Sequence, residues 1–438
     1  MHGHNSPAPP SQAKPVPTRD AQSLFPFGTI LLYASAMTHL ADLIAGQGAD
    51  DATVRRRHVF YLSGFDPRGA PHYHKLYRDE AAKQAAVNGL EITVGPRRKT
   101  GETETQWRLD AGAVATDYSF LHYDDIVRAR WARTNWAVLR EIARYAVLMQ
   151  RRGMFAKVLL ASWPTFIAMA YPAFLLILAL VASALAAWGA AALTGSLAGL
   201  AAAPIMFFAL LQLRPWLESR GNALWIARIL SFMCDQGAGR VPELDARLDD
   251  WAWRVAAVVA SGEADEVLIA AHSVGTQLAV SLAARVVGLC SVKTFRLSLL
   301  TLGHTIPLEA MQPAAAAYRA ELAVLAATPE LDWIDVSAPV DSACFPLCDP
   351  LAASGLAQPD PRNPKPKLVS ARFAKLFSPE GYRAVKKEFR RAHFQYLMAS
   401  EYAGDYDFFL ITAGDRTLGR RFARTKSAVY TRYRLGRP

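Results

Sequence analysis

Hydrophobic and polar positions follow different rules in different parts of this 438-residue chain. The plainest feature is a block from Val158 to Leu213 that contains no charged residue. As continuous helix it would reach about 84 Å, against a hydrocarbon core of about 30 Å. That is too long for one crossing and suits two crossings joined by a tight turn. Gly189, Thr194, Gly195 and Gly199 supply the turn candidates, with arms near Trp163–Trp188 and Ser196–Leu213. Pro164, Pro172 and Pro204 would cost a soluble helix, but membrane helices tolerate proline better. Trp163, Tyr171 and Trp188 are placed as interface markers.

On both sides of the block, short apolar runs alternate with stretches of helical periodicity. Val59–Ser63 is a β-rich run ending at Gly64; Leu90–Val94 and Thr105–Leu109 read as a strand pair; Asp124–Met149 reads as one long helix. After the block, Leu244–Ser261 is helical, Glu266–Ala271 a strand, Thr276–Val287 a helix and Phe295–Leu302 a strand. Ala314–Ala327 continues as helix, Trp333–Val336 as strand, and Phe408–Thr412 as a further short strand or buried segment. Such alternation predicts a parallel sheet covered on both faces. The block is then an insertion in an α/β domain whose parts are 57–157 and 214–415, with the hairpin at 158–213.

The N-terminal region reads differently. Residues 1–22 form a proline-rich tail without a folding pattern. Residues 23–56 carry one helical stripe, Ile30, Tyr33, Met37, Leu40 and Ile44, with Thr38, His39 and Asp42 off it. Ala34-Ser35-Ala36 resembles a signal-peptide cleavage site, but the stripe runs straight through it, so an amphipathic helix on a surface or a membrane interface fits better.

Composition narrows the class. Hydrophobic residues make up 52% and charged ones 20%, which excludes a wholly disordered chain, a collagen and a disulfide scaffold. The four cysteines are Cys234, Cys290, Cys344 and Cys348; one C-x3-C spacing without a second pair makes no zinc site, and all four read as reduced thiols. The net charge of +11 suits nucleic acid or an anionic membrane. The uncharged block decides for the membrane, since nucleic-acid binding explains neither the block nor the turn described next. Arg151, Arg152 and Lys157 precede the block, Arg214 and Arg220 follow it, and its turn is uncharged. The positive-inside rule puts both ends, and the rest of the chain, on the cytoplasmic side. A basic stretch at 416–438, with Arg420, Arg421, Arg424, Lys426, Arg432 and Arg434, favours anionic lipids. Arg128, Arg130, Arg133, Arg140 and Arg144, with Trp131 and Trp136 between them, suit either a helix along lipid headgroups or a solvated helix packed by its tryptophans. No dinucleotide fingerprint, P-loop or H-E-x-x-H helix is present, and no cofactor or metal is expected.

The candidate chemistry lies at Ala271-His272-Ser273-Val274-Gly275, between a strand and a helix. A turn this sharp needs small residues two before and two after the serine, and it presents the hydroxyl at the C-terminal end of the sheet. The helix start favours developing negative charge, and the Val274 N–H is one oxyanion donor. The loop Gly64-Phe65-Asp66-Pro67-Arg68-Gly69 supplies a second, from Phe65 or Gly64. In the order serine, acid, histidine, Asp341 is the first choice for the acid, with Asp349 and Asp335 as competitors. His393 is the single histidine beyond it and is the base. His304 precedes the acid in the chain, and His272 reads as a packing or hydrogen-bonding residue.

These residues resemble the α/β-hydrolase superfamily, in particular lipase- and esterase-like serine hydrolases. The carrying features are the turn at 271–275, the strand and loop ending at 64–69, Asp341, and His393-Phe394-Gln395-Tyr396. The resemblance implies a central, mostly parallel sheet and hydrolysis of an ester or thioester. Ala271 stands where glycine is usual, and a hairpin between the two site strands is atypical. Held at a bilayer, such an enzyme would meet acyl esters of lipids at high local concentration. An acyltransferase or thioesterase on the same triad, and a non-catalytic membrane scaffold that keeps the fold, are the competing expectations.

Overall fold

The computed structural model describes residues 53–213, 222–290 and 296–428. Its sheet is built around β1 (Arg56–Leu62), which lies between β5 (Val114–Leu121) and β6 (Glu266–His272), both parallel to it. Beyond β6 follow β7 (Leu297–Leu302), β8 (Asp332–Ser337) and β9 (Lys367–Ser370), each parallel to its neighbour. On the far side, β4 (Glu104–Ala111) runs antiparallel to β5, and β2 (Thr93–Val94) and β3 (Arg98–Gly101) both run antiparallel to β4. The fold is α/β, a mixed but mostly parallel sheet flanked by helices, compatible with α/β-hydrolase architecture.

Period-two alternation explains why both faces are covered. Phe60 and Leu62 of β1, Ile269 of β6 and Leu299 of β7 enter one apolar layer, which the helices Asn135–Arg151, Ala223–Gln236, Pro242–Ser261 and Gly275–Leu289 complete. Val59, Tyr61, Leu268 and Leu300 enter the other, under the helices Gly69–Asn88 and Phe408–Ala413. At the start of the β1–β6 pair a buried ion pair joins Arg57 to Glu266, with Nε 2.7 Å from Oε2. Its remaining hydrogen bonds are filled. Arg57 donates to the carbonyls of Gly414 and Arg416, and Glu266 accepts from Ser298 Oγ and the Leu418 N–H, each at 2.7 Å.

Several expectations are corrected. Phe408–Thr412 is a buried segment, as one alternative had it, but helix and not strand: the Asp407 side chain accepts the N–H groups of Phe409 and Leu410, a cap that starts a helix in a run whose periodicity is ambiguous. Asp124–Met149 breaks into Asp124–Ala129 and Asn135–Arg151, because Thr134 caps the second by accepting the Ala137 N–H. Trp131 lies in the break, stacked on Phe65 with the Arg228 guanidinium 4.6 Å from its ring centroid, whereas Trp136 is 76% exposed. The basic stretch from Arg416 packs on the sheet as far as Ala428, whose N–H bonds Leu368 O at 2.8 Å. Arg432 and Arg434, the segments 1–22 and 23–52, the flanking Arg214 and Arg220, and Phe295 lie outside the described residues.

The uncharged block forms a helix, Trp163–Thr194, a left-handed Gly195, a 3-10 turn at Leu197–Ala201 and a helix at Ala202–Leu211. The two arms pack along one another. Trp163–Thr194 is long and apolar enough to cross a membrane, and 17% of its most apolar window is buried. The second arm was expected as one helix over Ser196–Leu213. It begins instead with the 3-10 turn, and Pro204 stands in the first turn of the helix that follows, where its missing N–H leaves no bond unmade. Gly199 sits where an added Cβ would lie 2.3 Å from the Ala191 nitrogen, so the arms touch there backbone to backbone.

One buried acid makes stability pH-dependent. Burial first, then the neighbouring Glu321 and Asp245, push Glu309 up to about 8. The folded state therefore holds its proton where the unfolded chain, titrating near 4.5, has lost it. This contribution to stability is complete below about 4.5 and falls as pH rises to about 8. Glu309→Gln keeps the partner of Gln236 Nε2. It is expected to flatten the fall in melting temperature between pH 5 and pH 8, read by thermal denaturation of both proteins at each pH.

Candidate active site

The turn after β6 is tight because the ends of β1 and β6 nearly touch. A Cβ on Gly275 would lie 2.3 Å from the Ser63 carbonyl oxygen and 2.6 Å from that of Leu62. One on Gly64 would lie 3.0 Å from the Ser273 Cβ. Ser273 itself takes φ +57°, the left-handed region that costs a residue with a side chain about 1–2 kcal/mol. Its N–H is held by Leu302 O at 2.9 Å and its carbonyl by Thr276 Oγ1 at 2.6 Å, so neighbours fix the strained conformation. The helix Gly275–Leu289 starts immediately beyond.

Asp341 and His393 meet at the same end of the sheet. His393 Nδ1 lies 2.9 Å from Asp341 Oδ2 and 3.1 Å from Oδ1, with both side chains buried. Burial would raise the Asp341 carboxyl, but the His393 imidazole and hydrogen bonds from it and from Cys344 hold it below its ordinary value. An ionised Asp341 makes Nδ1 the donor. The other ring nitrogen, Nε2, is buried and has no hydrogen-bond partner among the described residues. His272, next to Ser273, donates from Nε2 to the His393 carbonyl at 2.8 Å, with ring centroids 4.6 Å apart. Burial and then His393 push His272 down to about 3, so it is a neutral strut. Ser273 and His393 are not hydrogen-bonded to each other, as is common without substrate.

The competing residues are elsewhere occupied. Asp349 caps the helix Pro350–Ala353 through the N–H groups of Leu351 and Ala352. Asp335 is inside β8 and accepts from Thr301 Oγ1 at 2.7 Å. His304 is buried 3.8 Å from Asp335. Gly64, Phe65 and Val274 are all buried, and their N–H groups have no hydrogen-bond partner among the described residues. The loop that carries Gly64 and Phe65 is braced by Asp66, which accepts the Arg68 N–H and the Tyr73 hydroxyl, both at 3.0 Å.

Sequence reasoning missed two residues. Tyr396 donates its hydroxyl to Asp341 Oδ2 at 3.1 Å and accepts the Ala338 N–H at 2.8 Å, so it holds the acid in place. Its spacing of three from His393 on a helical turn was the available signal. Trp225 sets its ring edge on His393, centroids 5.8 Å apart, and closes the site from the helix Ala223–Gln236. It follows an uncharged block and carried no signal.

No protein-family model, no curated protein and no solved structure matches the chain.

The close approach at the turn can be tested directly. Gly275→Ala forces a Cβ onto two backbone carbonyls and is expected to cost about 1–3 kcal/mol, seen as a lower denaturant midpoint with an unchanged slope.

Proposed function

We propose that this protein is a membrane-anchored serine hydrolase that cleaves a carboxylic ester, with a lipid ester as substrate. What supports the reading is a strained Ser273 at a strand-to-helix turn, and a buried Asp341–His393 pair whose His393 carbonyl is bonded by His272, the residue before the serine. His393 Nε2 takes the proton as Ser273 Oγ attacks the ester carbonyl, and the N–H groups of Val274 and of Phe65 or Gly64 receive the oxyanion. The C–O bond breaks, His393 returns the proton to the leaving alcohol, and water cleaves the acyl-enzyme by the same route. Asp341 orients the ring and offsets its charge, and Tyr396 and His272 position the pair.

The membrane reading rests on the exposed apolar surface of the helix Trp163–Thr194. That helix crosses the bilayer and the second arm returns. At about 25 Å for its 3-10 turn and helix, the second arm comes close to the hydrocarbon thickness of about 30 Å. The rest of the chain then lies on the cytoplasmic side, with basic residues towards anionic headgroups.

Labelling with a fluorophosphonate probe in membranes tests the chemistry. Ser273→Ala is expected to abolish labelling, and His393→Ala to slow it on the order of a hundredfold or more. A folded wild type that takes no label would instead favour the non-catalytic scaffold. Anchoring is tested separately. Ile177 and Leu185 are exposed on the apolar helix. Ile177→Arg with Leu185→Arg places two charges in hydrocarbon, about 2.5–3.5 kcal/mol each. The double variant is expected to move from the alkali-resistant membrane fraction to the soluble or aggregated fraction, while wild type stays bound.

A further inference from the structure

The long apolar helix begins at a polar corner. The helix Met154–Ala161 ends at Ser162, whose extended backbone turns the chain into Trp163–Thr194. Ser162 and Thr165, the latter in the first turn of the long helix, are both buried. Buried hydroxyls cost free energy unless they are hydrogen-bonded. These two are. Ser162 Oγ lies 2.7 Å from Thr165 Oγ1, and Thr165 Oγ1 donates to the carbonyl of Cys344. Because Thr165 gives its single proton to Cys344, Ser162 is the donor to Thr165.

Cys344 lies in the loop after β8 that carries the candidate acid, and its neighbours hold that acid. Asp341 Oδ1 accepts the N–H of Ala343, the residue before Cys344, at 3.0 Å. Cys344 Sγ donates to the Asp341 carbonyl at 3.3 Å and lies 3.9 Å from the Tyr396 hydroxyl, which itself donates to Asp341 Oδ2. The peptide between Cys344 and Phe345 is clamped from two sides. Its N–H donates to the His304 carbonyl, just past the end of β7, at 3.0 Å, and its C=O accepts from the apolar helix. Without Thr165 that carbonyl would be buried with no donor, and the loop would have to shift to find one.

We infer that Thr165 is a positioning residue for the candidate triad: through the Cys344 carbonyl it sets the loop that aims Asp341 at His393. This rests on the hydrolase reading above. The long apolar helix then does more than anchor the protein, since its first turn belongs to the support of the acid. Thr165 touches neither substrate nor reacting atoms, and acts only by way of the loop.

The test uses the full chain in phosphatidylcholine vesicles, with p-nitrophenyl butyrate as the probe. Thr165→Val keeps the shape and removes the donor, whereas Thr165→Ser keeps the donor. Thr165→Val is expected to lower kcat about tenfold and to leave KM within about twofold, since a misaimed acid costs most where His393 gains charge. Thr165→Ser is expected to restore kcat to near the wild-type value. Thr165→Ala, which adds no apolar bulk, is the second variant and is expected to match Thr165→Val. Thr194→Val makes the same change at the exposed far end of the same helix and should leave kcat unmoved. An unmoved kcat in Thr165→Val and Thr165→Ala, or an equal loss in Thr165→Ser, would overturn the proposal. A second measurement needs no turnover. In detergent micelles the His393 Nδ1 proton, assigned by its loss in His393→Gln, is expected far downfield in the proton NMR spectrum because Asp341 accepts it. Thr165→Val is expected to broaden that signal or move it upfield, and Thr165→Ser to restore it. A signal identical in wild type and Thr165→Val would overturn the proposal. If wild type neither hydrolyses the ester nor takes a fluorophosphonate label, yet the signal responds to Thr165, the positioning role stands and the hydrolase reading falls.

Discussion

The candidate site depends on how closely two strand ends approach. Where β1 ends, the carbonyl oxygens of Leu62 and Ser63 press against the first residue of the helix after Ser273, and only a residue without Cβ fits. That contact makes the turn sharp, puts Ser273 at positive φ, and sets Gly64 over the serine. A second close approach governs the acid. Gly303, at φ +52°, lets the end of β7 come so near that a Cβ there would lie 3.1 Å from Asp341 Oδ2 and 2.8 Å from the Tyr396 ring. The serine, the acid and the residue that holds the acid thus sit against glycines at neighbouring strand ends. The geometry is set by backbone contact, which tolerates less adjustment than side-chain packing.

How much of this was legible in the sequence follows from how local each signal is. The strands β1, β6, β7 and β8 lie within a few residues of their expected bounds, because a strand buried on both faces reads as an apolar run between breakers. The turn at Ser273 was readable because steric need ties small residues to fixed offsets. The Asp341–His393 contact was reached through chain order. Its support was not. Tyr396 and Trp225 act through contacts across 55 and 168 residues of sequence; Tyr396 had only its spacing from His393 to mark it, and Trp225 had no local pattern at all.

The misread elements share a cause. Asp407 and Thr134 each start a helix by accepting backbone N–H groups, and each is a single polar residue whose effect outweighs the apolar pattern around it. The charge pattern left two readings of the arginines between Arg128 and Arg144 open, and the fold adds a use that neither foresaw: Arg130 and Arg144 both pair with Asp235 of the helix Ala223–Gln236. Arg152 donates to Gln312 and Lys157 to the Met311 carbonyl at 2.8 Å. Several cations that precede the uncharged block therefore tie the helices leading into it to the rest of the domain. Net charge counts such residues as available to a surface when the fold has already used them.

The buried pair of Arg57 and Glu266 has a consequence for the order in which the chain assembles. Arg57 is made early, yet its counter-ion lies 209 residues further on, and two of its carbonyl acceptors lie at Gly414 and Arg416. Until those segments leave the ribosome, β1 carries an unmatched guanidinium and lacks its β6 neighbour. The apolar helix at Trp163–Thr194 emerges in the meantime. Synthesis therefore presents the apolar helix pair to the cell before the sheet can close. Whatever binds the nascent chain would meet this protein first as an apolar helix pair attached to an unfinished strand.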